Sequence, residues 1–467
     1  MADKEQLDSS VDFTIEFNTI SNTEDDVKTN SKANAEIDIK SNSDAMIETN
    51  IESKSNKDLN NKKVSYKRIF ALLGILLVCS GIFIYCNYIN VPADTRTTNN
   101  SKTSLFNETT NSDSTTINIK MVGDVLLHSP VYKNGLNSDG SYNYDHFFKN
   151  ISQDVSSADI SIANQETILG GTEIGLSSYP RFNSPTEVGD AEVKAGFNTI
   201  LHATNHTVDR GEVALNNCLD FWETKHPDVA VLGINRDETE YNNIYVYEKE
   251  GFKIAILNYT YGTNGLPIPS TNPYCINILD EDKVVEDIAN AKTMADMVMV
   301  CPHWGTEYML TPDDDQNKWT QLFLENGVDV VIGTHPHVLQ PVETLTSSSG
   351  HTMLVYYSLG NFISNQDALP CVVGGRADVT LEKDASGKCS IKQYSLVPTI
   401  THRVYGVGNF TTYKLSDYTD ELANENTIKR YGSEFSVDWA TTFCKEVLGD
   451  NYDTTNQILT VDLSQEN

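Results

Sequence analysis

Residues 297–337 read MVMVCPHWGTEYMLTPDDDQNKWTQLFLENGVDVVIGTHPH. The run Met297 to Cys301 is hydrophobic and predicts a buried strand that ends at His303. Asp313 to Asn326 carries acids at its start and has Gly327 as its stop, which predicts a helix. Val328 to Ile332 predicts a second strand, followed by His335, Pro336 and His337. Strand, helix and strand in this order point to an α/β fold with a sheet that is parallel in part. Each strand also delivers imidazole at its end.

The same alternation continues outward in both directions. Ile117, Ile119 and Met121 lead into Gly123–Asp124, and Ile160 and Ile162 lead into Ala163–Glu166 (ANQE). Residues 211–225 (GEVALNNCLDFWETK) predict a helix with Val213, Leu215, Leu219 and Trp222 on or near one side. Val229 to Leu232 and Phe252 to Leu257 predict strands, and residues 280–294 predict an acidic amphipathic helix. Met353 to Tyr357 leads into SLGNF at Ser358–Phe362. Residues 401–467 carry no recognisable site motif and are set aside as a C-terminal extension to a domain spanning 116–400.

A fold gathers strand-end loops onto one rim, so residues far apart in sequence can share an ion. Singly, each cluster has a bland alternative: a GD pair can be a turn, and Glu166 an exposed loop acid. Together, Asp124, Glu166, Asn205, His303, His335 and His337 form a set of oxygen and nitrogen donors suited to divalent metal. Six candidates exceed what one ion commonly takes, and a carboxylate can bridge two. Two ions of Mn, Fe, Zn or Mg are therefore expected. His206, beside Asn205, is the candidate proton donor to a leaving group. Pro336 favours extended backbone before it, which would turn His335 and His337 the same way. Asn164, His202 and His128 are candidates to support the ligands from behind. His146, His226, His351 and His402 are expected to face solvent.

The chain has 467 residues and a net charge of −31. Residues 1–60 are polar and acidic, residues 61–115 are slightly basic, and the part from 116 onward carries about −26. That balance argues against nucleic acid as a partner. An anionic polymer would be repelled as well, unless bound cations mediate the contact. Ile69 to Cys86 is uncharged throughout (IFALLGILLVCSGIFIYC) and as a helix would span about 27 Å. Lys62, Lys63, Lys67 and Arg68 precede it. The positive-inside rule predicts a single-pass membrane anchor within 61–90, with a disordered cytoplasmic tail at 1–60. A polar linker at 91–115 would then join the anchor to a domain outside the cell. The six cysteines from Cys218 onward show no CxxC spacing, and disulfide pairing among them is left open.

The order GD, ANQE, TNH, HWGTEY, GTHPHV and SLGNF resembles the CapA family of bacterial capsule synthesis, or poly-γ-glutamate biosynthesis, proteins over roughly residues 117–400. The resemblance implies a calcineurin-like metallophosphoesterase fold, a four-layer α/β/β/α sandwich with a dimetal rim. By matched position it implies Asp124 as the first ligand, Glu166 as the bridging acid, Asn205 as the amide ligand and His206 as the proton donor. His303 and His335 would serve one metal and His337 the other. Glu307 and Asn361, inside the shared motifs HWGTEY and SLGNF, join the candidates for a supporting role. The phosphoesterase pattern has a histidine where this chain has Leu126, so one metal would have a ligand fewer. Gln165 and Thr204 also depart from the common family residues without removing a donor. Capsule polymer synthase or export proteins, with an anionic polymer, are the partners that the resemblance implies.

Overall fold

Hydrophobic residues alternate along nearly every long strand of this chain, so each strand presents one face to each of two cores. The computed structural model describes residues 114–464, apart from 407–408 and 432–433. The Ile69–Cys86 stretch, the tail and most of the linker lie outside them. Among the described residues, no helix is long and apolar enough to cross a membrane.

Two sheets organise the domain. β1 (Thr115–Val125), β2 (Ile160–Gln165), β3 (Thr199–Leu201) and β4 (Ala230–Leu232) run parallel in sequence order. The second sheet is built from β5 (Tyr245–Lys249), β6 (Phe252–Thr260), β7 (Met297–His303), β8 (Val330–Ile332), β9 (Val342–Thr346) and β10 (Thr352–Tyr356), in the order β5-β6-β7-β8-β10-β9. Its four inner strands are parallel and its two edge strands antiparallel. β11 (Asn361–Ile363) returns to the first sheet and pairs with the end of β1. β12 (Val373–Lys383) then lies antiparallel along the rest of β1. β13 (Cys389–Arg403), β14 (Phe410–Lys414), β15 (Tyr452–Asp453) and β16 (Ile458–Asp462) complete that sheet.

The alternation assigns the layers. Met297, Met299 and Cys301 of β7 face a core shared with Ile117, Ile119 and Met121 of β1, so the two sheets pack face to face. Val298 and Val300 face the other way, onto the helices Glu281–Met294 and Asp314–Asn326 through Val284, Ile288, Phe323 and Leu324. The opposite face of the first sheet packs on the helices Glu187–Ala195 and Gly211–Lys225 through Val188, Ala191, Leu215 and Cys218. The layers thus run helix, sheet, sheet, helix.

The helix starts and stops follow sequence signals. Asp313 accepts from the Gln316 amide, and the Gln316 side chain accepts from Asp313 N–H; Gly327 stops the helix in a left-handed conformation. Helix Gly211–Lys225 has the expected span, but Val213 is 59% exposed. It lies about 200° around the helix from Leu215, so the buried stripe passes through Ala214, Leu215, Cys218 and Trp222 instead.

Residue 400 is not a boundary. β13 runs through it, and Leu415, Phe443, Leu448 and Leu459 belong to the core between the sheets. The expected C-terminal extension is therefore part of the sandwich. The six cysteines among the described residues are free thiols, and Cys301 is buried as a core residue.

Candidate metal centre

The ends of β1, β2 and β11 meet at Asp124. Its register partners are Asn164 on β2 and Asn361 on β11. Gly123 allows this approach, because a Cβ there would stand 1.9 Å from the Gly360 carbonyl oxygen. The same carbonyl accepts the Asp124 amide at 2.9 Å. Asn164 Nδ2 donates to Asp124 Oδ1 at 2.8 Å. His337 Nδ1 lies 3.1 Å from Asp124 Oδ2 and 3.2 Å from Asn361 Oδ1. The Asn361 amide is oriented by donating to the His337 and Cys371 carbonyls and to Gln366. Burial works against the His337 cation, but the Glu166 and Asp124 carboxylates outweigh it and lift its pKa to about 9.

A second group lies beside the first, joined to it through His335. His303 Nε2 lies 3.0 Å from Asn205 Oδ1, and His303 Nδ1 lies 3.0 Å from Thr334 Oγ1. The rings of His303 and His335 are 4.8 Å apart, and those of His335 and His337 are 5.7 Å apart. Burial, reinforced by neighbouring imidazoles, holds His303 and His335 well below the usual histidine range. Donor atoms of Glu166, His335 and His337 all lie within 4.8 Å of one another. Glu166 is 1% exposed, and neither of its carboxylate oxygens has a hydrogen-bond partner. His335 Nδ1 is likewise buried without a partner. Burial holds the Glu166 carboxyl well above its ordinary range. Buried polar atoms left unsatisfied in this way are rare in folded proteins. A carboxylate whose oxygens take no hydrogen bond, converging with imidazoles, fits a divalent cation.

His335 and His337 reach the cluster by an unexpected route. Their φ angles are +100° and +61°, so the backbone is not extended around Pro336. Conformations of this kind cost roughly 1–3 kcal/mol per residue and concentrate at functional sites.

His206 stands apart from these donors, on the wall of a cleft of about 370 Å3 that also exposes His128, Glu307, Tyr308, Leu126 and His337. His206 Nδ1 lies 2.6 Å from Asp209 Oδ2, which also accepts the Phe182 amide at 2.7 Å. With its proton held at Nδ1 by Asp209, His206 keeps Nε2 for the cleft. Sequence reasoning missed Asp209; its signal is an acid three residues after the histidine in one tight turn. The His128 ring packs edge-on against Phe182, and its Nδ1 accepts the Asn365 amide at 3.4 Å. Glu307 is exposed on the cleft wall, where its charge adds to the acidic field at Glu166 and His337. A larger cavity of about 550 Å3 opens beside β4 and β5, but its Asp287 already engages Tyr259 and Lys283. The smaller cleft is the one lined by His206 and His337.

His202, expected to support the ligands from behind, points elsewhere. Its Nε2 accepts the Trp222 indole N–H at 2.9 Å inside the helix-facing core. The four histidines expected at the surface differ as well. His146, His226 and His351 are half-buried, and His402 is buried against Tyr418.

Desolvation lowers the His202 pKa to about 3. The unfolded chain therefore binds a proton at this position below about pH 6.5, and the folded chain does not. Stability from this group is fully present above pH 6.5 and falls with pH toward 3, by up to about 1.4 kcal/mol per pH unit. His146, lowered to about 4 by burial, acts in the same direction. Urea titrations of the full chain at pH 7.5 and 5 are expected to show the loss. His202→Gln should make it shallower; an unchanged slope would refute the assignment.

A family model described as bacterial capsule synthesis protein PGA_cap matches residues 118–366. The PGA biosynthesis protein CapA of Bacillus subtilis (strain 168) is 27% identical over 196 residues, 42% of this chain and 50% of that protein. The capsule biosynthesis protein CapA of Bacillus anthracis is 26% identical over 259 residues, 54% of this chain and 60% of that protein. The chain thus spans about half to three-fifths of the length of these relatives. Among solved structures, a putative 5'-nucleotidase from Staphylococcus aureus aligns with a TM-score of 0.40 and 16% identity, covering 68% of this chain and 58% of that one. The Haemophilus influenzae NAD nucleotidase gives a TM-score of 0.40 and 14% identity, covering 72% and 67%.

Proposed function

This chain belongs to the family of bacterial capsule synthesis proteins PGA_cap, and from that premise we propose that it is a membrane-anchored, extracytoplasmic, metal-binding component of capsule or poly-γ-glutamate synthesis and export. The observation that carries the metal is Glu166, buried with both oxygens unpartnered among imidazoles. Asp124, Glu166 and His337 would hold one divalent ion. Glu166, Asn205, His303 and His335 would hold the other. Leu126 leaves the first ion a ligand short of the phosphoesterase pattern. When bound, such ions supply positive charge that steadies an anionic transition state. The Ile69–Cys86 stretch and its basic flank support the anchor and the outward orientation.

A second reading, a hydrolase acting on an envelope phosphoester or a γ-glutamyl polymer, is favoured by the His206–Asp209 pair. Asp209 fixes the ring at Nδ1 and leaves Nε2 beside the cleft, where a general acid would stand. The third reading is a non-catalytic accessory of a polymer synthase complex, in which the metal centre serves as a binding surface.

The test uses the full chain in detergent, stripped with chelator and reloaded. About two divalent ions per chain are expected, and no bound ion would sink the proposal. His206→Asn in the producing cell separates the readings. With metal content and folding intact, at least a roughly 100-fold loss of polymer-directed activity marks catalysis. Unchanged capsule output marks the accessory.

A further inference from the structure

The domain is acidic, yet one groove beside the cleft is lined by two arginines that form no ion pair among the described residues. Among the arginines whose side chains are described, Arg236 faces Asp220 and Glu223, Arg376 faces Asp154 and Asp378, and Arg403 lies 3.9 Å from Asp367. Arg181 and Arg210 differ. Both line an open groove of about 630 Å3 with Ser177, Asp209 and Leu266, and neither has a carboxylate within ion-pair reach among the described residues.

The two play different parts. Arg210 donates to the Ile174 and Gly175 carbonyls and to Ser177 Oγ at 2.7–3.3 Å, so its charge is fixed in place. Arg181 is exposed and lines the same groove. The acid in the groove lining, Asp209, is buried and already accepts from His206 and the Phe182 amide. The segment 177–182 is a shared wall. Ser177 and Arg181 line the groove, while Tyr179 and Phe182 line the metal cleft. A ligand lying across this wall would touch both.

We infer that the groove is a subsite for a polycarboxylate chain, held by Arg181 and Arg210 beside the metal cleft. Guanidinium groups attract carboxylates by charge and N–H donation, and a polyanion engages several cationic side chains in succession. The identity of the polymer, poly-γ-glutamate, rests on the proposed function; the arginine contact does not. The groove answers the repulsion problem posed by the acidic domain, because it offers cationic contact that needs no metal.

Binding of labelled poly-γ-glutamate to the full chain in detergent tests this, at low and at moderate salt, with chelator and with metal. The chelated wild type should bind, and salt should weaken the binding. Arg181→Glu should lower the affinity at least about 10-fold, while Arg181→Lys should retain most of it. Metal content should be the same in all three proteins. Absence of binding under chelation, or wild-type binding by Arg181→Glu, would overturn the subsite. Stronger displacement of the label by polyphosphate than by unlabelled poly-γ-glutamate of equal charge would overturn the carboxylate assignment. A chain that takes up no metal yet shows Arg181-dependent binding loses the metal reading and keeps this one.

Discussion

Replacing Glu166 with glutamine is expected to lower divalent-metal affinity at least about 100-fold while leaving the metal-free protein as stable as the wild type, or more so. The two effects share one cause. Glu166 has no hydrogen-bond partner for either oxygen, and burial opposes its charge. Without metal, the carboxyl is a cost to the fold, offset in part by His337 at 3.7 Å. The glutamine amide has nearly the same shape and carries no charge. With metal, the carboxylate is the one anionic donor common to both halves of the centre, and an amide cannot replace its charge. Metal at 100 times its dissociation constant should stabilise the wild type by about 2.7 kcal/mol. The variant should gain almost nothing at that concentration. Urea titrations with and without metal, beside direct metal analysis, measure both quantities. Equal metal content in the two proteins would remove Glu166 from the ligand set. So would a loss of metal-free stability greater than about 2 kcal/mol, which would mark the side chain as structural.

Gly123→Ala is expected to cost more than about 3 kcal/mol and to empty the centre even where the fold survives. The added Cβ would stand 1.9 Å from the Gly360 oxygen, 3.0 Å from its carbonyl carbon and 3.1 Å from the Leu359 oxygen. All three are backbone atoms, so no side chain can swing aside. Relief requires β1 and β11 to part by more than an ångström. That would break the pairing of Asp124 with Asn361, the two groups that hold His337 Nδ1. Denaturant unfolding and metal analysis of the variant provide the check. Stability within about 1 kcal/mol of the wild type would show that the strands can separate cheaply.

The strand ends that carry the centre were legible because two kinds of information coincide there. The alternation that buries Met297, Met299 and Cys301 sets the direction of β7, and His303 continues the same parity onto the rim. Ile117, Ile119 and Met121 do the same for β1 before Gly123 shifts the register. Less local features were not legible. Pro336 suggested extended backbone, but His335 and His337 both take positive φ angles. His202 follows a strand as a ligand would, yet its ring is claimed by an indole twenty residues later. Asp209, the partner of His206, lay in a stretch with no hydrophobic period to frame it. That Arg181 and Arg210 form no ion pair among the described residues is a fact of three-dimensional neighbourhood, which composition cannot express. Residues 401–467 lacked a motif because their work is to extend and cover a sheet, and that leaves only hydrophobic spacing.

The placement of β1 also has a temporal consequence. β1 is made first in the domain, yet one of its long edges is covered by β12, with Thr115 opposite Lys383 and Val122 opposite Arg376. Loops of that length close slowly, because chain entropy is lost before the pairing returns anything. Asp124 depends on β11 in the same way, through the Gly360 carbonyl. During synthesis from the N-terminus, the earliest ligand must therefore wait, unassembled, for more than half of the chain. The centre cannot take its final form before β12 is made, and a chain that stops short of β12 has the ligands but no frame to gather them.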